Sequence, residues 1–126
     1  MTDDLFRSLA ADFGHRLGME RLEPNASGCL DLTIERAGRL QMEEVEGTIL
    51  VTLARSWPDH SGRTALAALS LCHWRENHPW PVHAGALGEE WLSFTVCIPV
   101  RELDLPALEK QIDFLAGLLD AAEKAG

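Results

Sequence analysis

At 126 residues the chain holds one domain's worth of material, and a domain of that length buries roughly 65–70% of the surface its unfolded chain exposes. Hydrophobic residues make up 46% and charged residues 25%, an ordinary globular balance that argues against disorder. Eleven Lys and Arg against twenty Asp and Glu give a formal net charge of -9. No Lys/Arg cluster is present to grip a phosphate backbone or an anionic membrane, whereas a neutral or basic polypeptide is compatible with that charge.

In chain order, Thr2 can cap a first helix, with Asp3 and Asp4 where the helix dipole favours negative charge. Leu5, Leu9, Phe13 and Leu17 recur every four residues, flanked by Phe6 and Ala10, and Gly18 can supply a left-handed stop. Glu23 to Gly28 is loop chemistry. Leu30, Leu32 and Ile34 then alternate with Asp31, Thr33 and Glu35, the period of a half-buried strand. Arg36-Ala37-Gly38 makes a turn, Leu40 and Met42 continue a second strand, and Glu46-Gly47 turns again into a third, Thr48 to Ala54. Short strands joined by tight turns predict an antiparallel meander.

Ser61 can cap a central helix from about Arg63 to Asn77, whose stretch Ala65 to Leu71 is apolar nearly all round. A helix covering one side of a sheet should keep a polar outer stripe, so its second face is expected to meet another subunit. Pro79 and Pro81 end it, an extended segment follows at Val82, His83 and Ala84, and Gly85 to Gly88 reads as a turn. Trp91 to Val100 is the longest strand, with Leu92, Phe94, Val96, Ile98 and Val100 on one face and Trp91, Ser93, Thr95 and Cys97 on the other. Asp104 can cap a last helix with Pro106 in its first turn, and Leu105, Leu108, Ile112, Leu115, Leu119 and Ala122 form its apolar stripe. The predicted fold is a single α+β domain over residues 1–126, an antiparallel sheet with three helices in the order α-β-β-β-α-β-β-α.

Catalytic chemistry is not visible. Cys29, Cys72 and Cys97 each lie in an apolar run, where a free thiol behaves as a small hydrophobe, and three scattered cysteines suit a reducing cytosol better than a disulfide framework. Cys72, His73, His78 and His83 lack the paired spacing of a compact zinc site, and no Gly-rich phosphate loop or nucleophile elbow is present. Glu43 and Glu44 alternate across a strand and cannot face each other as an acid pair. Neither a metal nor another cofactor is expected. The N-terminus lacks a charged-then-apolar leader, and no apolar run reaches the ~18–20 residues of a membrane span, so the expected location is the cytoplasm.

What remains is an apolar surplus. Trp74 and Trp80 flank the end of the central helix, and large aromatic residues are typical interface anchors. Leu66, Leu69, His73 and Trp74 are the candidate dimer contacts. On the first helix, Leu5, Phe6, Leu9 and Phe13 span an arc wider than one sheet-facing stripe requires, and they are the candidate contacts for a partner chain.

Almost the whole chain resembles a known family. Leu5-Phe6-Arg7-Ser8-Leu9-Ala10-Ala11-Asp12-Phe13-Gly14, Leu32-Thr33-Ile34-Glu35 with Leu40-Gln41-Met42-Glu43, the Ala65 to Leu71 helix, Trp91 to Val96, and Leu103 to Leu108 are similar to the class I type III secretion chaperones of the CesT, or Tir-chaperone, type. The stretch Cys72 to Trp80 is richer in aromatic and His residues than that pattern. The resemblance implies a cytosolic bacterial homodimer, formed through the central helix and a neighbouring strand, that works without ATP or cofactor. It also implies that an extended segment of a secreted effector wraps the dimer, laying apolar side chains into grooves and pairing with a sheet edge. A regulator of the same fold that sequesters another secretion regulator is the alternative.

Overall fold

Thr2–Arg16 form the first helix, α1, and its end follows from Gly18. That residue sits at φ 78, Met19 N–H donates to the Gly14 carbonyl (2.8 Å), and Gly18 N–H donates to the His15 carbonyl (3.1 Å). This pair of bonds is the Schellman closure, which satisfies carbonyls that the last turn would otherwise leave open. The computed structural model describes residues 2–19, 22–35, 37–56, 82–87 and 91–125.

Five strands follow: β1 (Cys29–Ile34), β2 (Gly38–Val45), β3 (Thr48–Ser56), β4 (Val82–Leu87) and β5 (Trp91–Pro99). They make one antiparallel sheet in the order β1-β2-β3-β5-β4. The β2–β3 hairpin closes on Glu46 and Gly47, both at positive φ (50 and 81), the turn geometry whose twist matches paired strands. A short 3-10 turn, Val100–Glu102, leads to α2 (Leu105–Ala125). Asp104 caps α2 as expected, its Oδ1 accepting from Ala107 N–H at 2.8 Å.

Both helices lie on one side of the sheet. Leu40 and Met42 of β2, Ile49, Val51 and Leu53 of β3, and Phe94 and Val96 of β5 are buried there against Leu108, Leu115 and Leu119 of α2. Alternation along each strand gives the other face a polar lining, with Thr52 and Thr95 sharing a 2.8 Å hydroxyl–hydroxyl bond across β3 and β5. Arg55, at the end of β3, donates to the Ala37 carbonyl (2.7 Å) and pairs with Asp120 and Glu123, tying the β1–β2 turn to the last turns of α2.

One expectation changes. Gly85 does not open a turn: it sits within β4, paired with Ser93, and a Cβ there would meet Ser93 Oγ at 3.1 Å. The glycine allows close approach of the strands, a role its composition does not distinguish from turn chemistry. The described elements run α-β-β-β-β-β-α, so two of the three expected helices fall among the described residues. The interval of the central helix, 63–77, lies outside the described residues.

Candidate functional site

β1 is an edge of the described sheet, and its free side can be read from Asn25. The Asn25 Oδ1 accepts from Cys29 N–H (3.0 Å) and from Ser27 N–H (2.9 Å), while Asn25 N–H donates to the Cys29 carbonyl (2.8 Å). Both backbone groups of Cys29 therefore point away from β2. On the other side, Glu44 N–H donates to the Gly28 carbonyl (3.2 Å), which sets the ladder phase. Backbone direction alternates along a strand, so Asp31 and Thr33 also aim their N–H and C=O outward. Asn25 closes the first outward position, and among the described residues nothing pairs with the next two, which a further strand could use.

Cavities flank this edge on both faces. On the helix side a cleft of about 290 Å³ lies between Phe6 and Arg7 of α1, the loop Pro24 to Gly28, and Glu44 of β2. On the polar side a groove of about 260 Å³ runs over Cys29, Asp31, Gln41, Glu43, Leu50 and Thr52. Asn25 lines both. Side chains of an added strand alternate between two faces, and here each face offers room.

Electrostatics differ sharply between the two. On the polar face Arg39 Nε donates to Asp31 Oδ1 at 2.9 Å, Nη2 reaches Oδ2, and Gln41 also donates to Oδ2. The Arg39 hydrogen bond is the main cause holding the Asp31 carboxyl below its ordinary value. With the folded value depressed, the pair's stabilisation is present above the unfolded aspartate range and is lost as pH falls through the folded value. Arg39→Ala is expected to move the Asp31 titration midpoint upward, toward the ordinary aspartate value, in a carboxyl carbon NMR titration. An unchanged midpoint would show that the guanidinium is not its cause. On the helix side, Glu44 shares the inward parity of Leu40 and Met42. Its Oε2 is buried with no hydrogen-bond partner among the described residues.

Leu5 is exposed (51%), the only one of the four α1 candidates that is, while Phe6, Leu9 and Phe13 are all below 7% exposure and belong to the core. Phe6 also lines the helix-side cleft. Substituting Phe6 thus disturbs the core together with any contact it makes, and Leu5 is the position that separates the two. Leu66, Leu69, His73 and Trp74 lie outside the described residues, as do Cys72, His78 and Trp80. Cys97 proves exposed and Cys29 half-buried; both point to the polar face, because strand parity outweighs the apolar neighbours of Cys97. His83 is exposed on β4. Among the described residues no group of three or more His, Cys, Asp and Glu could hold a metal ion, and no helix is long and apolar enough to cross a membrane.

Sequence reasoning missed Asn25, the outward positions Asp31 and Thr33, and Glu44. Parity with Leu40 and Met42 marks Glu44 as inward-facing. The roles of the others depend on β1 being an edge, which no local pattern encodes.

The family model described as type III secretory system chaperone SycN matches residues 7–122. The chain belongs to this family of secretion chaperones. The chaperone protein SycN of Yersinia enterocolitica is 32% identical over 111 residues, covering 87% of this chain and 89% of that protein. Among solved structures, a chain of the ExsC–ExsE complex is similar at a TM-score of 0.73 and 22% identity, over 96% of this chain and 90% of that one. A chain of the heterodimeric ExoU–SpcU complex, from the type III secretion system of Pseudomonas aeruginosa, is similar at 0.62 and 20%, over 90% and 91%. At such identities the likeness is one of fold. A SycN-family chaperone is a binding protein and not an enzyme, in keeping with the absence of catalytic patterns from its sequence.

Proposed function

We propose that this SycN-family chain works as a cytoplasmic homodimer that holds the chaperone-binding segment of a secreted effector in extended, soluble and secretion-competent form. The supporting observation is the β1 edge, where two residues turn their backbone groups outward between cavities on either face. An effector segment adding there gains main-chain hydrogen bonds from the edge and side-chain burial from the cavities. It stays unfolded, because its backbone is satisfied by the chaperone and not by its own tertiary structure. Leu5 of α1 offers exposed apolar surface, while Phe6 contributes to the floor of the helix-side cleft, with Leu9 and Phe13 supporting the helix from within. The charge of -9 keeps the loaded complex soluble and discourages self-association.

The dimer is assigned to the all-round apolar stretch Ala65 to Leu71, with Leu66, Leu69, His73 and Trp74 as its contacts. Sedimentation equilibrium tests this reading, first with the chain alone and then with candidate effectors encoded beside its gene. A species near twice 13.9 kDa that co-purifies with an effector's N-terminal region is the expected result. A monomer that captures none of those effectors would overturn it. Leu69→Asp, which sets a charge into the proposed apolar contact, is expected to give monomer or aggregate, and an unperturbed dimer would remove this helix from the interface.

A further inference from the structure

The outward ladder of β1 is occupied at one rung by the chain itself. Asn25 N–H donates to the Cys29 carbonyl (2.8 Å), and Asn25 Oδ1 accepts from Cys29 N–H (3.0 Å). One residue thus supplies, through its backbone and its side chain, the donor and the acceptor that a guest residue in an added strand would bring. Oδ1 also accepts from Ser27 N–H (2.9 Å), and Gly28 N–H donates to the Asn25 carbonyl (3.0 Å). These bonds hold Asn25 at the rung although the residue is exposed.

The loop goes no further along the edge. Leu22 is buried, and it lies so close under α1 that a Cβ on Gly14 would come within 2.7 Å of the Leu22 Cβ. Anchored there, the segment before Asn25 is drawn toward the helix layer, and among the described residues no backbone bond runs from it to Asp31 or Thr33. The edge therefore passes from a self-paired rung to open ones at a fixed point, and Asn25 lines the cavity on either face of that point.

We infer that Asn25 is the register stop of this edge: it fills the Cys29 rung in place of a guest residue, so a bound extended segment pairs with Asp31 and Thr33 and turns away beside Asn25. The inference rests on the strand-addition reading above and adds to it a length and a starting point. A one-residue slip would exchange the two faces of the guest, and a two-residue slip toward the loop would need the Cys29 groups that Asn25 holds. The paired stretch is about five residues, two outward rungs with their flanking residues. Asn25 is a positioning residue here, because it selects which guest side chains reach the two cavities.

The test uses the isotope-labelled full chain with two peptides, acetyl-(Thr-Val)3-amide and acetyl-(Thr-Val)4-amide. Their valines match the half-buried Leu32 and Ile34, and their threonines the exposed Asp31 and Thr33. In the free chain the Cys29 amide is expected to exchange with solvent about tenfold more slowly than those of Asp31 and Thr33. The shorter peptide slows Asp31 and Thr33 and leaves Cys29 unchanged, and the longer one binds no tighter. In Asn25→Ala the loop loses its side-chain bonds, so Cys29 exchange accelerates about tenfold, and the longer peptide protects Cys29 and binds about fivefold tighter than the shorter. Asn25→Asp keeps an acceptor oxygen and is expected to behave as wild type, which separates the stop from a general effect of altering the loop. Should Asn25→Ala unfold, the wild-type exchange pattern and length dependence still decide. Free Cys29 exchanging as fast as Asp31, a longer peptide that gains affinity on the wild type, no length effect in folded Asn25→Ala, or peptides that leave Asp31 and Thr33 unprotected would each overturn the inference. Effector capture is measured separately. Capture without protection of the β1 amides removes the register stop and leaves the chaperone reading, whereas protection without capture does the reverse.

Discussion

Thr33→Pro is expected to weaken binding of an effector segment by about ten- to a hundredfold while the chain melts close to the wild-type temperature. The asymmetry comes from where the Thr33 N–H points. Because Cys29 directs both backbone groups at Asn25, the strand period sends the Thr33 N–H outward. Proline at such a position costs the sheet no ladder bond, and edge strands tolerate it there. An incoming strand loses a donor and meets the pyrrolidine ring, a loss of one or two hydrogen bonds' worth of net affinity together with a steric penalty. Leu32→Pro is the control. The Leu32 N–H faces β2, where Leu32 pairs with Leu40, so proline there breaks the ladder, and the variant should melt well below both wild type and Thr33→Pro. Wild-type affinity in Thr33→Pro, measured by calorimetry on a co-purifying effector segment, would rule out strand addition at β1.

The second large effect is expected beside the turn that joins β1 to β2. Gly38 begins β2 at φ 136, and a Cβ built there would lie 2.4 Å from the Ala54 carbonyl oxygen and 3.2 Å from Arg55 Cγ. The nearest obstacle is backbone of the neighbouring strand, which cannot swing aside as a side-chain end could. Gly38→Ala therefore combines an unfavourable dihedral with a clash, and should cost about 3 kcal/mol, or roughly 10 °C in Tm for a domain of this size. The damage would not stay local. Arg55 holds Ala37 on one side and Asp120 and Glu123 on the other, so displacing β3 here also loosens the end of α2. A denaturation midpoint equal to wild type would show that the strand pair can relax around a methyl group.

Elements governed by short-range periodicity were legible from the residues. The four-residue recurrence in α1 with its Gly18 stop, the alternation from Leu30 to Ile34, the Glu46-Gly47 turn and the Asp104 cap all appear where local pattern places them. Gly85 was not legible as a strand residue, since a glycine needed for close approach and one needed for a turn look alike until the partner strand is known. The same holds for the α1 arc. How much of it stays exposed depends on what packs against it, and in the fold Phe6, Leu9, Ala10 and Phe13 are all buried while Leu5 is not. The Glu23 to Gly28 loop was recognisable as a loop, but Asn25 as the residue that closes one end of an edge was not. That role exists only because the strand order leaves β1 outermost.

Strand order also carries a consequence for how the chain is made. β1, β2 and β3 pair with immediate sequence neighbours, whereas β3 reaches its other partner, β5, only across the long stretch between Ser56 and Trp91. Closing a distant pair costs more chain entropy than closing a hairpin. As the polypeptide leaves the ribosome, the N-terminal meander can therefore assemble before β5 has been synthesised. In that interval Ile49, Leu50, Val51 and Leu53 stand on an open margin of their own. This member of the secretion-chaperone family thus passes, during its own synthesis, through a state with an open apolar margin, and delivery of the C-terminal third ends it.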